Sequence, residues 1–209
     1  MKHRRLEIST RKQPQQARST ELVAAILQAA TEVLAREGAT RFTTARVAEK
    51  AGVSVGSVYQ YFPNKAAILF QLQANEWKRT TDMLKRILED KSKAPLDRLR
   101  VLVHAFVSSE CEEAELRVAL HDAAPLYRGA SETEEVRASA DETIESYVKE
   151  VLPKTSAAKR ALVCDLLTTT LSAVGSSFSG VPRSEAEIRS YSDAMADMFC
   201  AYLKSLRRA

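Results

Sequence analysis

Phe42-Thr43-Thr44-Ala45-Arg46-Val47-Ala48-Glu49-Lys50-Ala51-Gly52-Val53-Ser54-Val55-Gly56-Ser57-Val58-Tyr59-Gln60-Tyr61-Phe62-Pro63-Asn64-Lys65 reads as two short helices joined by a tight turn. Thr43 or Thr44 is placed to cap the first, because a hydroxyl accepts from the N–H groups that a first helical turn leaves unpaired. Val47, Ala48 and Ala51 fall at i, i+1 and i+4 and make an inward face. Gly52 stands where a left-handed residue ends that helix without a Cβ clash. Ser54 is placed to cap the second helix, and Val55, Val58 and Phe62 follow at spacings of three and four. Ser57, Tyr59, Gln60 and Tyr61 are left to point elsewhere. One face docks and the other presents hydrogen-bonding groups, which is the arrangement of a helix-turn-helix.

Upstream, Ser19 or Thr20 caps a helix whose stripe is Val23, Ile26, Leu27, Ala30, Val33 and Leu34, with Gly38 at its end and Phe42 as a plug beneath the motif. Residues 1–16 carry Arg, Lys and Pro14 without apolar periodicity and are expected to be a flexible basic arm, able to add phosphate or minor-groove contacts. Downstream, Pro63 and Asn64 start a fourth helix, with Lys65 in its first turn and an apolar pattern through Ile68, Leu69, Leu72, Trp77, Leu84, Ile87 and Leu88. About 26 residues at ~1.5 Å each give roughly 39 Å, long enough to link a head to a body.

The rest of the pattern is helical. Pro95 suits the first position of a fifth helix, and Leu116–Leu120 suggest a sixth that closes near Pro125. Ser131-x-x-Glu134 is a capping box opening a seventh helix to about Leu152. Two apolar helices follow at about 156–178 and 184–206, the second behind another capping box, Ser184-x-x-Glu187. No stretch alternates as a strand does. The expected fold is all-α with about nine helices: a three-helix head over 17–64 and a helical body over 65–209.

The chain has 209 residues, 45% hydrophobic and 28% charged, an ordinary globular balance. No apolar run approaches the length of a membrane span, and no apolar segment follows the charged first residues. The expected location is the cytoplasm. Residues 1–65 hold eleven basic and five acidic side chains, a net +6, while the whole chain is +4. A basic head on a mildly acidic body fits a polyanionic partner for the head alone. Cys111, Cys164 and Cys200 are far apart and read as buried apolar thiols. His3, His104 and His121 make no ligand pair at helical spacing, so neither a metal nor a cofactor is expected.

The pattern T-T-x-x-V-A-x-x-A-G-V-S-x-G-x-x-Y-x-Y-F-x-x-K over Thr43–Lys65, behind an amphipathic helix, closely resembles the TetR family of bacterial transcriptional regulators. The resemblance covers roughly residues 17–77. It implies a helix-turn-helix head, a body that dimerises and usually binds a small effector, and repression by occluding a promoter. Helix-turn-helix readers put the second helix in the major groove, where base edges offer donors, acceptors and the thymine methyl. Gln60 is best suited to a base edge, Val55 to a thymine methyl, and Ser57 is short and adaptable. Gly56 permits close backbone approach. Tyr59 and Tyr61 stand where the family commonly contacts phosphate. Lys65 and the amides beginning the fourth helix make an anion site. Thr43, Thr44, Arg46 and Ser54 complete the expected DNA-contacting set.

The two C-terminal helices suggest a homodimer seam of Leu167, Leu171, Val174, Met195, Met198, Phe199 and Tyr202. Trp77, His104, Phe106, Cys111, His121, Tyr127 and Phe178 are expected to line an apolar pocket for an apolar or aromatic effector. Ser108-Ser109-Glu110 and His121-Asp122 are the only clusters suggesting catalysis, and sequence neighbours do not make a triad. The expectation is a DNA-binding regulator and not an enzyme. The alternatives are a regulator without an effector and a helical small-molecule enzyme.

Overall fold

A computed structural model describes residues 17–126 and 133–208. Its elements are α1 (Ala17–Arg41), α2 (Thr44–Ala51), α3 (Val55–Tyr59), α4 (Lys65–Leu88), α5 (Pro95–Glu112), α6 (Ala114–Ala123), a 3₁₀ turn (Ala124–Leu126), α7 (Thr133–Val151), α8 (Ala157–Ser179) and α9 (Glu185–Arg208). The protein is all-α, with no strand among the described residues. The expected arm over 1–16 and the capping residue Ser131 lie outside the described residues.

Packing divides the chain into two compact units. One comprises the described residues of Met1–Glu76 and Glu115–Thr133, the other Trp77–Ala114 and the described residues of Glu134–Ala209. The division falls inside α4, not at the expected 64/65, and α6 belongs with the first unit. In the first unit Ala66, Ala67, Ile68, Leu69, Phe70 and Leu72 are all buried, which carries that unit well past Lys65. With them in this unit, Ile26, Leu34, Phe42, Val47, Val58 and Phe62 are fully enclosed, so the apolar stripes of α1 to α3 form the interior read from their spacing. Gly38, at φ 71°, interrupts α1 before a last turn reaches Arg41.

In the second unit α5 packs against both α8 and α9. Leu99, Leu102, Val103, Phe106 and Val107 of α5 share a core with Ile144, Val148 and Val151 of α7, Val163, Leu167 and Leu171 of α8, and Met195, Phe199 and Leu203 of α9. Pro95 begins α5 and Ser184 boxes with Glu187 at the start of α9, as the sequence predicts. This packing corrects the expected dimer seam. Leu167, Leu171, Met195 and Phe199 are buried within one protomer, and Val174 and Tyr202 pack partly against the same core. Of that set Met198 alone is exposed, at 52%; Leu162 and Leu166 of α8 and Tyr191 of α9 are exposed as well. The stripes on α8 and α9 are wide because each helix has an inner apolar face for α5 and an outer one besides.

Helix α8 is also long and apolar enough, by length and composition, to cross a membrane. No unbroken apolar run shows it, because Asp165 and several Ser and Thr residues interrupt the helix. Cys200 is buried and Cys111 and Cys164 are partly so, and burial pushes all three thiols above their ordinary pKa. A raised pKa keeps the reactive thiolate scarce, which suits thiols that serve as packing groups.

Arg98 is the largest of the fully buried side chains. One guanidinium nitrogen donates to the Leu88 carbonyl at the end of α4 and another to the Glu150 carboxylate of α7. The guanidinium carbon lies 5.7 Å from the Tyr147 ring centroid. A cation that pairs with a last-turn carbonyl satisfies a group the helix cannot. Lys91 reaches the same carboxylate, and together with Arg98 it holds Glu150 below its ordinary pKa. Arg98→Ala is expected to lose roughly 2–4 kcal/mol of stability in urea titrations, because it leaves a buried carbonyl unpaired and opens a cavity. A depressed carboxylate pKa contributes stability above the ordinary carboxylate value and loses it as pH falls through the folded one. The gap between wild type and variant should therefore narrow on acidification.

Candidate nucleic-acid interface and body cavity

The head is built by its caps. Thr43, extended at φ −137° and ψ 150°, accepts through Oγ1 from the Arg46 amide at 3.3 Å and opens α2. Gly52 closes it at φ 67° and ψ 29°, and the Val53 amide donates back to the Ala48 carbonyl at 3.0 Å. That reversal needs a left-handed residue, which glycine supplies without strain. Ser54 opens α3, its Oγ accepting from the Ser57 amide at 3.0 Å and lying 2.8 Å from the Ser57 hydroxyl. Val58, wholly buried, anchors α3 from below, and the Tyr61 and Phe62 amides both bond back to its carbonyl.

This anchoring leaves Val55, Gly56, Tyr59 and Gln60 exposed together, with Val55 at 41% and Tyr59 at 42%. Ser57 is half-buried beside its cap. Tyr61 departs from expectation. Three residues after Val58 it lies on the inward side with Phe62 and is only 7% exposed, so it is a core ring and not a presented one. Thr44 is likewise buried, one step inside α2, while Thr43 faces solvent. Arg46 is exposed but pairs with Glu37 of α1. Lys50 pairs with Glu32 at 2.7 Å and holds its carboxyl below the ordinary pKa. The charges of α2 are thus partly answered within the head. Asn64 caps α4, accepting from the Ala67 amide at 2.9 Å, and Lys65, half-exposed, stands in the first turn of α4.

Gly56 differs from Gly52 in what it permits. A Cβ at residue 56 would meet nothing nearer than the Ser54 hydroxyl, at 3.6 Å, and the backbone there is not left-handed. No packing contact inside the protein requires a glycine at this exposed position.

The second unit holds a cavity of about 250 Å³ bounded by α4, α5, α7, α8 and α9. Its walls are apolar, chiefly Leu84, Leu102, Phe106, Ile144 and Leu171, with Trp77 and Thr81 from α4. Of the expected lining, only Trp77 and Phe106 are there. His104 turns to Asp193, Nε2 to Oδ1 2.9 Å. Phe178 stacks on Tyr191 with centroids 4.1 Å apart, and the Arg183 guanidinium lies 4.4 Å from its ring. Cys111 packs at the edge of the core, His121 is exposed on α6, and Tyr127 lies outside the described residues. The sequence reading missed Thr81, Tyr147, Thr168 and Ser172. Residues 77, 81, 84 and 88 are spaced by four, three and four, which would have shown that the Trp77 face of α4 continues into the cavity.

Residues 94–206 match the profile of the tetracyclin repressor-like C-terminal domain, and residues 26–72 that of the bacterial regulatory proteins of the tetR family. The chain belongs to the TetR family. The fold and the two matched domains are those of a DNA-binding transcriptional regulator. Nucleoid occlusion factor SlmA of Vibrio campbellii is 37% identical over 84 residues, 40% of this chain and 42% of that protein, so the chain spans under half the length of that relative. Among solved structures, FadR from Bacillus subtilis in complex with stearoyl-CoA superposes with a TM-score of 0.67 at 16% identity, over 85% of this chain and 97% of the other. A TetR-like regulator from Rhodococcus sp. gives 0.64 at 19% identity, over 92% and 99%. At such identities the likeness is one of TetR fold.

The two glycines should separate in thermal unfolding. Gly52→Ala, forced to a positive φ, is expected to cost about 1 kcal/mol. Gly56→Ala is expected to be neutral or to stabilise by up to about 1 kcal/mol, since alanine is the better helix former.

Proposed function

We propose that this TetR-family chain is a repressor that binds a near-palindromic operator as a homodimer and leaves it when a small, largely apolar molecule enters the cavity. The observation that carries this reading is α4, one unbroken helix from Lys65 to Leu88. Its first turn, joined to α3 by residues 60–64, offers to a phosphate Lys65 and the amide ends that the Asn64 cap does not take. Further along, Trp77, Thr81, Leu84 and Leu88 face the cavity. A helix is stiff over ~18 Å, the length from Lys65 to Trp77 at ~1.5 Å per residue. A ligand against the second half can therefore displace the first.

In this reading the exposed group Val55, Gly56, Tyr59 and Gln60 faces the major groove, with Gln60 reading a base and Val55 a methyl group. Thr43, Ser54 and Ser57 support the approach from the caps, and Arg46 serves phosphate only by exchanging its partner Glu37. The dimer forms through the outer face of α8 and α9. Only 28% of the apolar window in α8 is buried within one chain, and Leu162, Leu166 and Met198 are exposed there. A second copy covers that face at the least cost in new chemistry. The likeness to SlmA favours a second reading, a DNA-bound factor without a small effector, since that protein's name describes nucleoid occlusion and no ligand.

Selection of bound duplexes from random DNA is expected to yield a near-palindrome bound at an affinity on the order of 10⁻⁸–10⁻¹¹ M. Failure to enrich any motif would contradict the sequence-specific reading. Lys65→Ala should weaken all sequences alike and reduce the salt slope by about 1.8 per dimer, at ~0.9 per lost phosphate contact. Gln60→Ala should change base preference, and Gly56→Ala should lower operator affinity while the fold is intact. Leu166→Glu/Met198→Glu should sediment as a monomer and lose the two-half-site complex.

A further inference from the structure

The chemistry of the cavity's rim distinguishes among the molecules that fit its walls. Among the described residues lining it, the ionisable groups are Asp141 and Tyr147; none is Lys, Arg or His. Asp141 of α7 and Ser172 of α8 are exposed and Thr168 half-exposed, so the opening runs along the α7–α8 edge. The hydrogens of two polar lining groups are already committed. Thr168 donates to the Cys164 carbonyl at 2.9 Å, and Tyr147 donates to the Pro95 carbonyl at 2.9 Å. Both oxygens remain only as acceptors. The Asp141 carboxylate, when ionised, can only accept. Arg98, whose guanidinium lies over the Tyr147 ring, does not line the cavity and is engaged by Leu88 and Glu150.

We propose that the cavity takes lipophilic molecules whose polar end donates hydrogen bonds and bears no negative charge, amines before alcohols, and rejects the matching carboxylates. This rests on the cavity being the effector site argued above. A carboxylate drawn into this rim would meet the Asp141 charge and, as partners, only the neutral hydroxyls of Thr80, Thr81 and Ser172, with no cation to offset the desolvation of an ionised group. An ammonium meets an opposite charge at the rim and acceptors beside it. Its partner Asp141 is exposed, so its advantage over a neutral hydroxyl is modest. Selectivity against the acid comes chiefly from desolvating its charge in a lining that holds no cation, with the Asp141 charge adding a modest repulsion. The stearoyl-CoA named with the FadR structure is a polyanion, so ligand class here departs from that of a protein with a similar fold.

The test uses two matched series at neutral pH, octylamine, 1-octanol and octanoate, then benzylamine, benzyl alcohol and benzoate. Trp77, the only tryptophan in the chain, lines the cavity and reports occupancy directly. Binding is read by its fluorescence and by calorimetry, and release by the selected operator. The expected order is amine, then alcohol, then acid, with the acid weaker by roughly tenfold or more, a gap equivalent to about 1.4 kcal/mol. Asp141→Asn, with its ligand-free operator affinity measured alongside, should bring the amine down to the alcohol. Octanoate or benzoate binding as tightly as its amine would overturn the ligand class while the effector reading stands. If no member of either series perturbs Trp77 or releases operator, the ligand class and the effector reading both fall. An amine preference unchanged in Asp141→Asn would overturn the role given to that carboxylate.

Discussion

Helix α4 has to bury apolar residues in two cores in succession, and the rest of the molecule is arranged to let it. Ile68, Leu69 and Leu72 are enclosed in the first unit, Leu84 and Leu88 in the second. A single helix can serve both only if its apolar face keeps phase and nothing breaks it, and no Gly or Pro stands between Lys65 and Leu88. Its ends are fastened by different chemistry. Asn64 satisfies an amide at the beginning, and Arg98 satisfies the Leu88 carbonyl at the end. The second fastening explains a buried arginine that would otherwise be an expense, since a buried ion pair is seldom a net source of stability.

The head and the body solve different problems. In the head, two short helices have too few residues to be stable alone, and their boundaries are set by side-chain and glycine caps. In the body the helices are long, and packing decides their arrangement. The cavity there lies among residues that also belong to the core, Leu102, Phe106 and Leu171 among them. Phe106 rests against Gly175, where an added Cβ would come within 2.9 Å of its ring. Close packing on one side of Phe106 thus holds its ring in the cavity wall on the other.

Much of this was legible in the sequence where the signal is local. Thr43, Gly52 and Ser54 act at their own backbone positions, so reading them needs no knowledge of partners. The helix order follows from periodicity, and so does the position of Trp77 on the α4 face that lines the cavity. The losses come where a side chain's role depends on a distant partner. His104 is taken by Asp193, and Phe178 by Tyr191. Met195 and Met198 lie on the same helix three residues apart, yet one is core and the other exposed; only the position of α5 tells them apart. Tyr61 looks presented in the sequence because its neighbours Tyr59 and Gln60 are, but it is buried. Arg98 carries a charge that suggests the surface, although its phase with Leu102 and Phe106 puts it on the inner face of α5.

The central claim is that cavity and DNA interface share one equilibrium through α4. Its most direct test is the affinity of octylamine, read at Trp77, for the free protein and for the protein saturated with its selected operator. Linkage requires that operator weaken the ligand by the same factor by which the ligand weakens operator, about 5- to 150-fold for coupling of typical size. An octylamine that releases operator, yet binds free and operator-bound protein with equal affinity, would contradict the account.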